Sequence, residues 1–404
     1  MPVDLEQEVE GTGLSVGKVL RILCKHDATF RKAAGDSRVV AIEAQDVSGG
    51  RGYLSRVFKT TVRFEAGRAA YRFVMKIPTF DCLDDSCDAM ELSEVEKAAF
   101  RKSLTVAHNN EVAAYEIVRH SAVFPLPRLI HLEAADEKRA GMIVMEDLTE
   151  CTTSVSIFEG VTRPLVFGLA RHLARLQVEV NRTPALRSRL KRFDAPYHLD
   201  CNSLPNWRTF FDRWIQQEPS LRIFSDLLLP LDMAALSQFA LIDLPAQYGA
   251  RSIVHGDCWT NNLLLRKPAV DSPPTEIRGF IDFQLAFFGN PLFDLARFLQ
   301  ICVDADERRA MEAEIVGVYF EELERACAPE PPPFTRKQTQ ELYEMAAIHQ
   351  SIHLVLCLFF LCGGVRDDEQ KRRLTERLRA GLADGVQRMR KHRIFERFGN
   401  GLLD

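Results

Sequence analysis

The sequence predicts an α+β protein of two lobes, a small lobe built on an antiparallel β-sheet and a large, mainly helical lobe. Three observations predict this. Segments with strand character predominate between Val39 and Glu146, and apolar residues recur at helical spacing beyond Leu148. A run of strands followed by a run of helices marks the α+β class. The helical part is interrupted by one strand pair, between Ile253 and Gln284, which is the richest stretch in polar side chains of fixed spacing.

A chain of 404 residues can bury a large core or two lobes, and 46% hydrophobic with 27% charged residues is ordinary for a soluble globular protein. The net charge of -4 gives no general attraction to nucleic acid or to an anionic membrane. The ten cysteines include no Cys-x-x-Cys pair, so neither zinc nor a redox motif is indicated. The N-terminus is acidic and lacks an apolar core, unlike a secretory signal. A cytoplasmic protein with free thiols is expected. The longest apolar run, Leu354 to Leu361, falls short of the roughly 20 residues a bilayer requires, and reads as a buried core helix with no membrane span. The sequence sets no oligomeric state.

Taken in order, Leu14 to Ala34 carries Val16, Val19, Leu20, Leu23 and Phe30 at helical spacing, and predicts a peripheral helix in an N-terminal extension, 1–38. Val39 to Val47, Tyr53 to Phe64 and Tyr71 to Ile77 read as three strands of a meander. Between the first two lies Ser-Gly-Gly-Arg-Gly-Tyr. Gly49, Gly50 and Gly52 allow backbone amides to approach phosphate oxygens, so this loop is a candidate cover for a nucleotide. Thr79 to Lys97 is acidic and predicts a surface loop. A helix follows over Asn109 to His120 and ends at Phe-Pro-Leu-Pro. Strands at Leu129 to Glu133 and Gly141 to Met145 lead to Glu146-Asp147-Leu148, the expected hinge between a lobe over 39–148 and one over 149–404.

In the second lobe, Leu165, Leu169, Leu173 and Leu176 predict a long amphipathic helix over Thr162 to Val180. Trp207, Phe210, Phe211 and Trp214 lie at i, i+3, i+4 and i+7, a core stripe before it is an aromatic substrate box. Helices follow from Leu292 to Phe398 with a break at Pro329 to Pro333.

The chemistry concentrates in Ile-Val-His-Gly-Asp-Cys-Trp-Thr-Asn-Asn-Leu-Leu-Leu and Ile-Arg-Gly-Phe-Ile-Asp-Phe-Gln. Asn262 stands five residues after Asp257, at the start of one predicted strand, and Asp282 ends the other. A hairpin through the proline-rich insert brings the three oxygen-bearing side chains together. Phosphoryl transfer needs such a set, because the protein's work there is positioning and charge neutralisation. Asp257 is placed as the carboxylate beside an attacking hydroxyl, while Asn262 and Asp282 are hard oxygen ligands suited to Mg2+. The residues point to a kinase using ATP and Mg2+.

This segment resembles the catalytic loop and metal-binding turn of the CHK and ecdysteroid kinase-like group, relatives of choline and aminoglycoside kinases within the protein-kinase-like superfamily. His-Gly-Asp with its Asn stands where protein kinases have His-Arg-Asp and Asn, and Ile-Asp-Phe-Gln stands where they have Asp-Phe-Gly. The resemblance implies a protein-kinase-like fold, with Phe-Val-Met-Lys supplying Lys76 as the phosphate-binding strand lysine. Asn-Glu-Val-Ala-Ala-Tyr supplies Glu111 as its helix partner, with Glu116 as the fallback. The connection Met145, Glu146, Asp147 and Leu148 would offer backbone groups to adenine. Asn-Pro-Leu-Phe-Asp-Leu-Ala-Arg implies that Asp294 supports the catalytic loop, and the helices after Asp304 resemble the nematode and insect branch. Leu173-Ala174-Arg175-Leu176 is followed by Gln177 where relatives have His. The implied activity is phosphorylation of a small hydroxylated metabolite, an ecdysteroid- or sterol-like, choline-like or xenobiotic-derived alcohol. A catalytically silent pseudokinase is one alternative. An aminoglycoside-type phosphotransferase is another, for which Glu341, Glu344, Asp367, Asp368 and Glu369 would form an acidic pocket, although such runs are more often solvated helix faces.

Overall fold

A computed structural model describes residues 3–48, 55–65, 68–78, 94–136, 139–193, 204–269 and 272–399. The chain divides into two compact units, Met1–His120 with Leu126–Cys151, and Ser121–Pro125 with Thr152–Asp404.

The first unit opens with a two-strand clasp, β1 (Glu8–Val9) and β2 (Leu14–Ser15), and two helices, α1 (Val16–His26) and α2 (Ala28–Ala34). The single helix expected here breaks at Asp27. Its carboxylate accepts the amides of Thr29 and Phe30 at 2.9 and 3.2 Å and so caps α2, which an uninterrupted helix would forbid. Five strands follow, β3 (Val39–Asp46), β4 (Ser55–Phe64), β5 (Tyr71–Pro78), β6 (Leu129–Glu133) and β7 (Met142–Glu146), in the antiparallel order β3-β4-β5-β7-β6. The alternation of strands puts Phe58, Val62, Phe64, Tyr71, Phe73 and Met75 on one face, against Val19, Leu23 and Phe30 of the two helices. Val57, Val74 and Lys76 therefore stand on the other face, with Val57 paired to Lys76 and Lys76 to Ile143. The helix α3 spans Glu94–Val118, so the helix read from Asn109 is its second half. Its first residues fall where a loop was expected, and the rest of that acidic stretch, like Gly49, Gly50 and Gly52, lies outside the described residues.

In the second unit, β8 (Thr152–Thr153) is followed by α4 (Arg163–Arg182), capped by the Thr162 hydroxyl and burying Leu165, Leu169, Leu173 and Leu176. Next come α5 (Leu204–Gln217) and β9 (Ser252–Val254), then the hairpin β10 (Leu263–Arg266) and β11 (Ile277–Phe280), then β12 (Phe287–Gly289). The hairpin register pairs Leu263 with Phe280, β8 extends it beyond β10, and β12 pairs with β9. Four long helices follow, α6 (Phe293–Cys302), α7 (Ala305–Cys327), α8 (Arg336–Gly363) and α9 (Asp368–Lys391), and then a short one, α10 (Ile394–Phe398). Trp207 and Trp214 are buried, and their indoles donate to the carbonyls of Ile352 and Val355 on α8 at 3.1 and 2.9 Å, so this stripe is core. By length and composition α8 is long and apolar enough to cross a membrane, unlike the short run read from sequence, but 67% of its most apolar stretch is buried within the unit.

Candidate active site

In the first unit, Lys76 and Glu111 form a buried ion pair, with Nζ 2.7 Å from Oε2 and side-chain exposures of 10% and 0%. Strand alternation delivers the lysine to the face that α3 covers. The helix is fastened there by Asn109, whose side chain both donates to and accepts from the backbone of Ala135 at 2.9 and 2.7 Å. His108, one turn before Glu111, contacts the Glu133 carbonyl at 2.9 Å, and burial holds its imidazole below the ordinary range. Glu116, on the same helix, is exposed.

Met145 is buried at the end of β7. Glu146 accepts the Arg128 amide at 2.8 Å through its side chain, and Asp147 Oδ1 accepts from the amide and hydroxyl of Thr149 at 2.9 and 2.7 Å. Asp147 is thus a turn-forming residue. Leu148 is buried, and its carbonyl accepts the Cys151 amide. Beside this connection lies a cavity of about 280 Å³ bordered by Gln45, Lys59, Thr61 and Arg72; the last three share the Lys76 face of the sheet.

In the second unit the loop between β9 and β10 is built around its own hydrogen bonds. The Asp294 carboxylate, on the first turn of α6, accepts the backbone amides of His255 (2.8 Å) and Gly256 (2.9 Å). Burial pushes the Asp294 carboxyl up, against the opposing pull of His255 and the two amides. Gly256 has φ of +84°, where a side chain would strain the turn. The Asp257 amide donates to His255 Nδ1 at 3.2 Å, which leaves Nε2 to donate to the Ile281 carbonyl at 2.8 Å. Asn262 closes the loop: Nδ2 lies 2.8 Å from the Asp257 carbonyl and 3.1 Å from Asp257 Oδ2, and its carbonyl accepts the Ile281 amide at 3.0 Å. Asp282 follows with φ of +69°, a left-handed conformation that costs a residue with a Cβ about 1–2 kcal/mol. Asp257, Asn262 and the residue before Asp282 are therefore joined by direct hydrogen bonds, as the predicted hairpin requires.

Arg297, Gln350 and Cys357 were not singled out for this site from sequence. Arg297, buried on α6, places Nη2 2.5 Å and Nε 3.1 Å from Asp257 Oδ1. Its Nη1 lies 3.4 Å from both Gln350 Oε1 and Cys357 Sγ on α8. Burial alone would lower the guanidinium's basicity, but Cys357 and Asp257 outweigh it and raise it. The available signal was the Asp294-x-x-Arg297 spacing, which puts both side chains on one helix face. Cys258 is fully buried and burial pushes its thiol far up, so it packs. Gln177, where a His was expected, donates to the Ala250 carbonyl at 2.7 Å and accepts from the Tyr319 hydroxyl, tying α4 to the segment entering β9. Of the acidic residues considered for a cationic sugar, Glu344 is buried against Lys391 and His392, Glu341 accepts the Tyr248 hydroxyl, and Asp367 caps α9.

Residues 39–383 match the model of the DUF1679 family, described as "Uncharacterized oxidoreductase dhs-27". The chain belongs to this family. Among curated proteins none matches it in sequence. Among solved structures it is similar to a Ralstonia eutropha protein provisionally named an aminoglycoside phosphotransferase, with 13% identity, a TM-score of 0.52, and coverage of 93% of this chain and 98% of the other. It is also similar to the GDP complex of aminoglycoside 2'-phosphotransferase-IIIa, with 13% identity, 91% and 98% coverage and a TM-score of 0.45. A ternary complex of aminoglycoside phosphotransferase APH(4)-Ia with AMP-PNP and hygromycin B gives 12%, 88% and 97%, and 0.36. The fold of this DUF1679 member is that of the kinase-like phosphotransferases, a small antiparallel sheet with a large helical region.

Proposed function

We propose that this protein is an ATP-dependent small-molecule kinase that phosphorylates a hydroxyl group. The observation that carries the reading is the closed set at the β9–β10 loop, with Asn262 bonded to the Asp257 side chain and main chain and to the residue preceding Asp282. In this reading Asp257 orients the acceptor hydroxyl and takes its proton as the phosphoryl group leaves ATP. The Asn262 amide nitrogen is directed at Asp257, so its oxygen is the end available to a cation, and with Asp282 it makes a donor set of two. Such a set suits Mg2+, which uses one or two carboxylates, retained water and substrate phosphates rather than an all-protein cage. Bound there, Mg2+ would neutralise phosphate charge.

The lobe expected over 39–148 is assigned to the nucleotide. Lys76, held by Glu111, contacts its phosphates; Gly49, Gly50 and Gly52 cover them; and the backbone of Met145 to Leu148 meets the base. The lobe expected over 149–404 is assigned to catalysis and acceptor binding. Within the protein-kinase-like superfamily the protein is placed in the CHK and ecdysteroid kinase-like group, acting in the cytoplasm on a sterol-like, choline-like or xenobiotic alcohol. The family's description supplies a second reading, an oxidoreductase. Every strand pair among the described residues is antiparallel, unlike the parallel sheet on which dinucleotides are commonly held, and this favours phosphoryl transfer.

The test is nucleotide binding by thermal shift, with ATP and Mg2+, ATP and EDTA, and the Asp282→Ala variant. Binding to the folded state raises the melting temperature by mass action. A Mg2+-dependent rise that Asp282→Ala removes is expected. No rise at millimolar ATP would reject the catalytic reading in favour of a silent relative.

A further inference from the structure

We infer that Arg297 is the positioning residue for the Asp257 carboxylate, and that the forked geometry of its guanidinium, beyond its charge, sets the orientation the reaction uses. The inference rests on the kinase reading above and goes beyond it. Arg297 is a buried cation. Its side chain is 6% exposed while that of Asp257 is 27% exposed, and Asp257 is the carboxylate it touches. Burying a guanidinium is costly unless it is well paired. Its charge is directed outward, onto the one acidic group of the β9–β10 loop.

The contacts also divide the two carboxylate oxygens. Nε and Nη2 both point at Oδ1, whereas Oδ2 is the oxygen that faces the Asn262 amide. Two donors on one oxygen and a third on the other fix the carboxylate plane. Nη1 is braced against Gln350 and Cys357, so the guanidinium cannot swing without leaving α8. Because Asp294 and Arg297 are one turn apart on α6, the same helix fixes the loop's backbone through one residue and its carboxylate through the other. Lysine at 297 would keep the positive charge, but an ammonium cannot reproduce the planar fork. Misplacement of a reacting group by about 1 Å is enough to cost roughly 100-fold in rate.

The experiment measures phosphate release from Mg–ATP, with water as the acceptor, for wild type, Asp257→Ala, Arg297→Lys and Gln350→Ala, each first checked for a cooperative melt. The expected result is a 10- to 100-fold fall in kcat for Arg297→Lys, with KM for ATP within about threefold of wild type. Gln350→Ala, which leaves the fork on Asp257 but removes a brace, should fall less and in the same sense, and it carries the test if Arg297→Lys does not fold. Arg297→Lys turning over within twofold of wild type would overturn the positioning role. So would a loss confined to KM. A wild type without phosphate release, or one indifferent to Asp257→Ala, would overturn the kinase reading itself, and the two failures are distinguishable.

Discussion

Replacing Asp294 by asparagine probes how the β9–β10 loop is held. The carboxylate accepts one buried backbone amide on each oxygen, His255 on Oδ2 and Gly256 on Oδ1. Asparagine keeps one acceptor oxygen and turns an NH2 group toward the other amide. One charge-assisted bond, about 1.5–3 kcal/mol, is lost, and a buried N–H is left open at about 1–3 kcal/mol. Against this, burial already disfavours the ionised carboxyl, so the neutral side chain recovers part of the loss. The net expectation is about 2–4 kcal/mol of destabilisation. For a unit of this size that is a fall of roughly 5–15 °C in Tm. All three tryptophans, Trp207, Trp214 and Trp259, lie in the second unit, so intrinsic fluorescence during urea unfolding reports on the affected part alone. Asp294→Ala, which opens both amides, should cost more than Asp294→Asn. An Asp294→Asn midpoint equal to wild type within about 0.5 kcal/mol would refute the assignment of Asp294 as the loop's anchor.

Two further outcomes are expected. Asp257→Ala should lower turnover by about 10²- to 10⁴-fold, while the thermal shift with Mg–ATP persists; an unchanged rate would remove Asp257 from the reaction. In the first unit, Asp27 is fully buried and bonded to Tyr71 and Arg128 as well as to the start of α2. Burial alone would raise its carboxyl, but the Tyr71 hydroxyl, Arg128 and the Phe30 amide hold it below the ordinary range. With the folded value below the unfolded one, its stabilisation is complete above about pH 4 and is lost as the pH falls through the folded value. Asp27→Asn should therefore cost about 2–3 kcal/mol at neutral pH, less than the 3–5 of a fully buried pair because Arg128 is 38% exposed. The difference from wild type should shrink in urea titrations below pH 4, and a constant difference would contradict the linkage.

The sheet and the hairpin were legible in the sequence because period-two alternation and proline-rich turns are local signals. β3, β4 and β5 fall within a residue or two of their expected ends, and Leu263 to Leu265 pairs with the run before Asp282. The break at Asp27 was missed because apolar spacing continues through it, although an Asp before Ala-Thr is itself a helix-start signal. The length of α3 was missed because its first residues are acidic and carry little apolar period. Candidate residues close in sequence, Asp257 and Asn262, were legible by spacing, and Lys76 with Glu111 by pattern. Arg297, Gln350 and Cys357 were not, because their relation to Asp257 comes from the packing of α6 on α8, which no local spacing encodes.

All ten residues of α6 are buried. Loops that carry chemistry usually open at little free energy, independently of the core beneath them. This one has been given the opening energy of its helix. The amides of His255 and Gly256 are released only when Asp294 withdraws, and Asp294 withdraws only with α6. Fraying of the short elements elsewhere in the unit would leave the loop formed. Its loss would coincide with the loss of the core, so that any molecule still folded in this unit is one whose β9–β10 loop is already in place.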